Sequence, residues 1–143
     1  MFGRGSEIVT FPDANLEATI RYALDTPMGE ITAAELDQLT ELTAHNRGIT
    51  DLSGIKYCVN LTYLDLMGNQ ITDLSPFAAL TDLTQLALWR NPISDIAALV
   101  DNSGLGGGDT VVWLYSNNLD LSEGPEDLKN IRQLEERRVE VFY

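Results

Sequence analysis

A stride of 22 residues runs through the middle of this chain and limits its fold more than any other feature. Leu61, Leu64 and Leu66 are followed by Asn69, Ile71 and Leu74. One stride on, the same offsets hold Leu83, Leu86, Leu88, Asn91, Ile93 and Ile96; one stride back they hold Leu39, Leu42, Ala44, Ile49 and Leu52. Self-similarity at a fixed period of this size predicts stacked coils, each able to bury its apolar side only against its neighbours.

The spacing within one coil predicts its shape. On a helix, Leu61, Leu64 and Leu66 would share no face. Alternation instead places Leu64 and Leu66 on one side and Tyr63, Asp65 and Met67 on the other, the pattern of a half-buried strand. Asn69 then falls in a turn, where its amide can serve backbone groups as the chain bends inward. Buried without partners, that amide would cost about 1–3 kcal/mol. Ile71, Leu74, Phe77 and Leu80 recur by threes and predict short 3₁₀ or irregular turns behind the strand.

The flanks read differently. Ile8, Val9 and Phe11 predict a short strand that begins the edge of the same sheet. Pro12-Asp13 opens a helix with Leu16, Ile20, Ala23 and Leu24 as its apolar stripe, ending near Pro27-Met28-Gly29. Thr32 and Glu35 form a capping box that starts a second short helix, with Leu36 and Leu39 facing the core. Residues 1–38 are thus expected to be a helical cap over the open side of the first coil.

About four coils are expected over residues 39–121. The first departs from the pattern: Ala44 replaces a leucine, and Arg47 holds the asparagine position, so its turn is expected to lack the amide ladder. The fourth starts at Asp109, with Val112, Leu114, Asn117 and Leu119 in pattern, which makes the third coil 26 residues long. Its surplus, 102–108, reads as a Gly-rich loop bulging from the stack. That loop has no Lys-Ser/Thr pair and leads into a strand, so it does not read as a phosphate loop.

Residues 122–143 are expected to close the stack. Leu128, Ile131 and Leu134 mark a helix, with Glu126 and Asp127 early and Arg137 and Arg138 late, as the macrodipole favours. Val139, Val141 and Tyr143 then alternate as a last strand. With a cap at each end, the 143 residues read as one complete domain.

These residues resemble the bacterial leucine-rich-repeat proteins of the internalin-like, 22-residue class. The repeat NQITDLSPFAAL is similar to that class's own repeat. FPDANLEATIRYAL with ITAAELDQLTEL resembles its helical N-terminal cap, and NSGLGGGDTVVWLYSNNL with IRQLEERRVEVFY resembles its closing segment. Arg138 stands where that segment usually has Gly, and is strained if the site needs positive φ. The resemblance implies an α/β leucine-rich-repeat solenoid, a right-handed β-α/3₁₀ superhelix with a helical N-terminal cap and a helix-plus-strand C-terminal cap. It further implies protein binding without catalytic residues, in a secreted or cell-surface setting.

Charge and composition narrow the partners. Twenty-two acidic residues against nine basic ones give a net charge of −13, which argues against nucleic acid and against anionic membrane surfaces. No apolar run is long enough to span a membrane. The start, MFGRGSE, lacks the apolar core of a signal peptide; the chain reads either as cytosolic or as a trimmed piece of an exported protein. The single cysteine, Cys58, permits no internal disulfide and reads as a buried small apolar residue.

Stacking aligns equivalent outward positions into columns on a concave face. They are Glu41, Tyr63, Gln85 and Val111; Thr43, Asp65, Ala87 and Trp113; His45, Met67, Trp89 and Tyr115; and Asn46, Gly68, Arg90 and Ser116. Tyr63, Met67, Trp89, Trp113 and Tyr115 therefore cluster where a strand's exposed side is ordinarily polar. Trp, Tyr, Met and Arg are the residue types enriched at interfaces. The expected function is a non-catalytic protein–protein interaction module, the partner packing on Trp89 and Trp113 while Glu41, Asp65 and Arg90 give polar direction and His45 heads its column. The alternatives are a carbohydrate- or cell-wall-binding module, a structural spacer of a larger surface protein, and a homodimer through the same face. No cofactor or metal is expected: His45 has no ligand-spaced partner, and the recurring Asp51, Asp73 and Asp95 read as turn caps.

Overall fold

The computed structural model describes residues 4–122 and 124–143. After a 3₁₀ turn at Arg4–Ser6 come β1 (Ile8–Val9), α1 (Ala14–Leu24), β2 (Ile31–Thr32) and α2 (Ala33–Leu36). Asp13 caps α1 by accepting from the N–H groups of Asn15 and Leu16, and the Thr32–Glu35 capping box closes on α2. Two expectations change here. β1 does not join the repeat sheet but pairs antiparallel with β2, Ile8 opposite Thr32 and Val9 opposite Ile31. A run of alternating apolar residues announces a strand and not its partner. In α1, Leu16 and Ile20 are buried as the stripe requires, but Ala23 is exposed and Thr19 takes the inner position instead, its hydroxyl donating to the Asn15 carbonyl.

Four short strands follow, β3 (Glu41–Thr43), β4 (Tyr63–Asp65), β5 (Gln85–Ala87) and β6 (Thr110–Trp113), with β7 (Val139–Phe142) beside the last. They form one five-stranded parallel sheet in the order β3-β4-β5-β6-β7. Leu42, Leu64, Leu86 and Val112 lie in register, so equivalent leucine positions stack directly on one another. Behind the strands run the 3₁₀ turns Ile55–Tyr57 and Ser75–Ala79 and then α3 (Ala97–Asp101). Leu61, Leu64, Leu66, Ile71, Phe77 and Leu80 are fully buried between the two layers. Each contributes about 1.5–3 kcal/mol by leaving water. The core is continuous from Val9 and Phe11 to Ile131, Leu134 and Val139.

The asparagine ladder corrects the expectation at Arg47. Asn69 Oδ1 accepts from the backbone N–H groups of Arg47 and Ile49, one coil earlier, at 3.0 Å each. Its Nδ2 donates to the carbonyls of Ala44 and Leu66. Asn91 repeats this toward Ile71, Leu66 and Leu88, and Asn117 toward Ile93, Leu88 and Leu114. Each amide thus closes the turn of the preceding coil, and the Arg47 turn is served from Asn69.

Residues 102–108 do not simply bulge. Asn102 is completely buried, and its Nδ2 donates to the carbonyls of Phe77 and Leu80 on the coil before. Leu105 is buried, and Gly104 lies so close to the Thr81 carbonyl that no Cβ fits between them. After β6 comes α4 (Glu126–Glu136), burying Asn130, Ile131 and Leu134. The expected pairing of late arginines with this helix's own dipole is not what forms. Arg137 lies just past α4, and its guanidinium donates to the carbonyls of Leu99 and Val100 at the end of α3. Arg138 has φ of 66°, the left-handed conformation suspected from the missing glycine.

Candidate binding face

The β-sheet register fixes which side chains share the outward face. Glu41, Tyr63, Gln85, Val111 and Glu140 form one row across the strands, and Thr43, Asp65, Ala87, Trp113 and Phe142 the next. Neighbouring strands lie about 4.8 Å apart, so each row spans about 19 Å. Just beyond the strands, successive coils continue the pairing: Asn46 N–H donates to the Met67 carbonyl, Gly68 N–H to Trp89, and Arg90 N–H to Tyr115. Asn46, Gly68, Arg90 and Ser116 all have positive φ, a left-handed turn repeated in every coil. Asn46 fills the space a Cβ at position 68 would need.

The aromatic residues group as two ring pairs. Trp89 meets Tyr115 edge-on, centroids 5.2 Å apart at 66°. Trp113 lies nearly parallel to Phe142, at 6.1 Å and 11°. Trp89 and Trp113 are half-buried, whereas Tyr115 and Phe142 are 39% and 40% exposed. Ala87, between Asp65 and Trp113 in the outward row, is buried at 8% exposure. Its methyl group points to the outer side, so it is the surrounding side chains that cover it.

Polar groups occupy the other half. His45 Nδ1 lies 2.9 Å from Asp65 Oδ2, and Asp65 Oδ1 accepts from the Met67 N–H at 3.0 Å. Glu41 and Arg90 are exposed, Tyr63 and Met67 half-buried. Burial, reinforced by the carboxylates of Asp65 and Glu41, raises the Tyr63 phenol above its ordinary value. The face therefore carries Glu41 and Asp65 over β3 and β4, and the aromatic pairs over β5 to β7, with Glu140 and Arg90 at that end. The strand register puts Glu41, Tyr63, Asp65 and Trp113 in the outward rows, with contacts that the sequence did not disclose: the His45–Asp65 pair and the entry of Phe142. The signal for Phe142 was present in the alternation of Val139 and Val141, which turns Glu140 and Phe142 outward.

The recurring aspartates lie elsewhere, in the turns behind the face. Asp51 accepts from the Ser53 N–H and hydroxyl, Asp73 from the Ser75 N–H and Asp95 from the Ala97 N–H. The Ser53 hydroxyl and then its N–H hold the Asp51 carboxyl below the ordinary value. Cys58 is fully buried, and burial, with Asp37 nearby, pushes its thiol up to about 12.

A stack of parallel strands carrying leucines inward, with an asparagine in the turn of every coil after the first, defines a leucine-rich-repeat fold. The family described as Leucine Rich repeats (2 copies) matches residues 37–78 and 59–101. Internalin H of Listeria monocytogenes is 40% identical over 64 residues, which is 43% of this chain and 12% of that protein. Among solved structures, an internalin (inlF) from Listeria monocytogenes superposes with a TM-score of 0.72 at 36% identity, over 86% of this chain and 35% of that one. The CBM51-2 and INT domains of Clostridium perfringens ZmpB, solved with GlcNAc, give 0.57 at 30%, over 63% of this chain and 19% of that one. The chain is thus similar to internalin-like bacterial leucine-rich-repeat proteins, and it spans a minor part of the length of these relatives.

Proposed function

We propose that this chain is a non-catalytic module that binds a protein partner through the outward, concave side of its parallel sheet. The two aromatic pairs on that side carry the reading, because half-exposed rings on a strand's solvent side are surface available for contact. Trp89, Trp113 and Tyr115 form the packing surface, flanked by Tyr63 and Met67, while Glu41, His45, Asp65 and Arg90 supply polar direction. Residues 39–121 present the face, wound right-handed as parallel crossovers nearly always are. Residues 1–38 and 122–143 act as lids over the end coils. Among the described residues no helix is long and apolar enough to cross a membrane.

Trp89→Ala combined with Trp113→Ala is expected to weaken partner binding by at least about 2 kcal/mol, roughly thirtyfold, with the melting transition shifted little. Unchanged affinity in calorimetric titration removes this face from the function. A sugar-binding reading draws on the near-parallel Trp113–Phe142 pair, since flat rings suit sugar faces. A glycan array supports it only through hits that Trp113→Ala abolishes.

A further inference from the structure

The outward face is divided by charge as well as by shape. Over β3 and β4 it carries Glu41 and Asp65. The Glu41 carboxylate has no hydrogen-bond or ion-pair partner among the described residues, whereas Asp65 is held by His45 Nδ1 and the Met67 N–H. Over β5 to β7 it carries the pairs Trp89–Tyr115 and Trp113–Phe142. Arg90 and Glu140 are both exposed at the aromatic end, so that end carries no net charge, whereas Glu41 and Asp65 leave the β3–β4 end negative. With strands about 4.8 Å apart, β3 lies about 14 Å from β6, the reach of four or five extended residues.

We propose that the face is built for a basic-apolar segment of a partner protein, laid across the strands. A lysine or arginine is placed over Glu41 and Asp65, and an aliphatic or aromatic side chain packs on Trp113 and Trp89. This rests on the interaction reading above and adds the partner's chemistry and direction. The reverse orientation would set the partner's cation at the end where Arg90 offsets Glu140, and its apolar group over the carboxylates of Glu41 and Asp65, so the net charge difference between the ends favours one direction. The net charge of −13 draws basic partners toward the molecule from a distance, and the local acids seat them. Burial raises the Tyr63 phenol first, and the carboxylates of Asp65 and Glu41 add to that shift.

Trp89 and Trp113 are the two tryptophans of the chain, so tryptophan emission, excited selectively over tyrosine, reads this face alone. The probes are two short extended peptides with the same leucine-containing core, one bearing two lysines at an end and the other two glutamates there. The lysine peptide is expected to bind roughly fivefold more tightly at about 20 mM salt, a preference set by two exposed ion pairs and lost at about 500 mM. Glu41→Gln with Asp65→Asn should erase the preference while leaving the melting transition in place, and Trp113→Ala should weaken both peptides alike. Equal binding of the two peptides, or a preference that survives Glu41→Gln with Asp65→Asn, overturns the charge assignment and leaves the aromatic face as a binding surface. No fluorescence response to either peptide overturns both.

Discussion

The two ends of the molecule are joined to the repeats by different physics. At the C-terminal end, β7 continues the sheet, pairing with β6 over four residues, and Arg137 ties α4 to the last carbonyls of α3. At the N-terminal end no strand among the described residues enters the repeat sheet. There one carboxylate does much of the joining. Asp13 Oδ1 caps α1, while Oδ2 accepts from the Thr50 N–H at 2.8 Å, the Thr50 hydroxyl at 3.2 Å and the Asp51 N–H at 3.0 Å. Burial works against the charge on Asp13, but the N–H groups of Thr50, Asp51, Leu16 and Asn15 outweigh it and hold the carboxyl below its ordinary 3.8. The C-terminal end is therefore joined by a backbone ladder, while the N-terminal end adds an ionised side chain to its apolar packing against the first coil.

Core substitutions give the largest expected effect and test what the ends share. Ile20→Ala in α1 and Ile131→Ala in α4 each remove a fully buried side chain and should each cost about 2–5 kcal/mol in urea denaturation. A loss below about 1 kcal/mol at either end would place that end outside the common core. Asp13→Ala comes next, at about 1–2 kcal/mol near neutral pH. Because the folded carboxyl titrates below its unfolded value, its stabilisation is present above about pH 4 and is lost as pH falls through the folded pKa. The gap between Asp13→Ala and the parent protein should thus close in acid. A gap independent of pH would mean that the ionised carboxylate is not what joins the N-terminal end. Arg138→Gly has the smallest effect and the opposite sign. Relief of φ at 66° should stabilise the C-terminal end by about 0.5–1 kcal/mol, read as a higher melting temperature.

Much of this was legible because a repeat converts sequence distance into spatial alignment. The stride alone set Tyr63 beside Gln85 and Asp65 beside Ala87, as the register has them, and put the leucines inside. What escaped lies where the stride gives no alignment or no chemistry. β7 belongs to no repeat, so the alternation of Val139 and Val141 turned Phe142 outward without giving the register that sets it against Trp113. Asp13 was recognisable as a helix cap, but its second oxygen acts on Thr50, 37 residues away. Asn102 sat at the head of a glycine-rich stretch and read as loop, although its amide is among the most buried polar groups of the chain. His45 was compared with other metal ligands, and its partner proved to be a carboxylate in the next coil.

The asparagine ladder gives the stack a direction. Each amide reaches back, so a coil is completed only by its successor: the Arg47 turn draws on Asn69, and the Asn69 coil on Asn91. An arginine can stand in the asparagine position of the first coil because no earlier turn waits on it. The same exchange at Asn91 would leave the Ile71 N–H without its acceptor inside the protein. Shuffled or grafted coils of this kind are therefore not interchangeable. A unit lacking the amide fits at the front of an array and nowhere behind it.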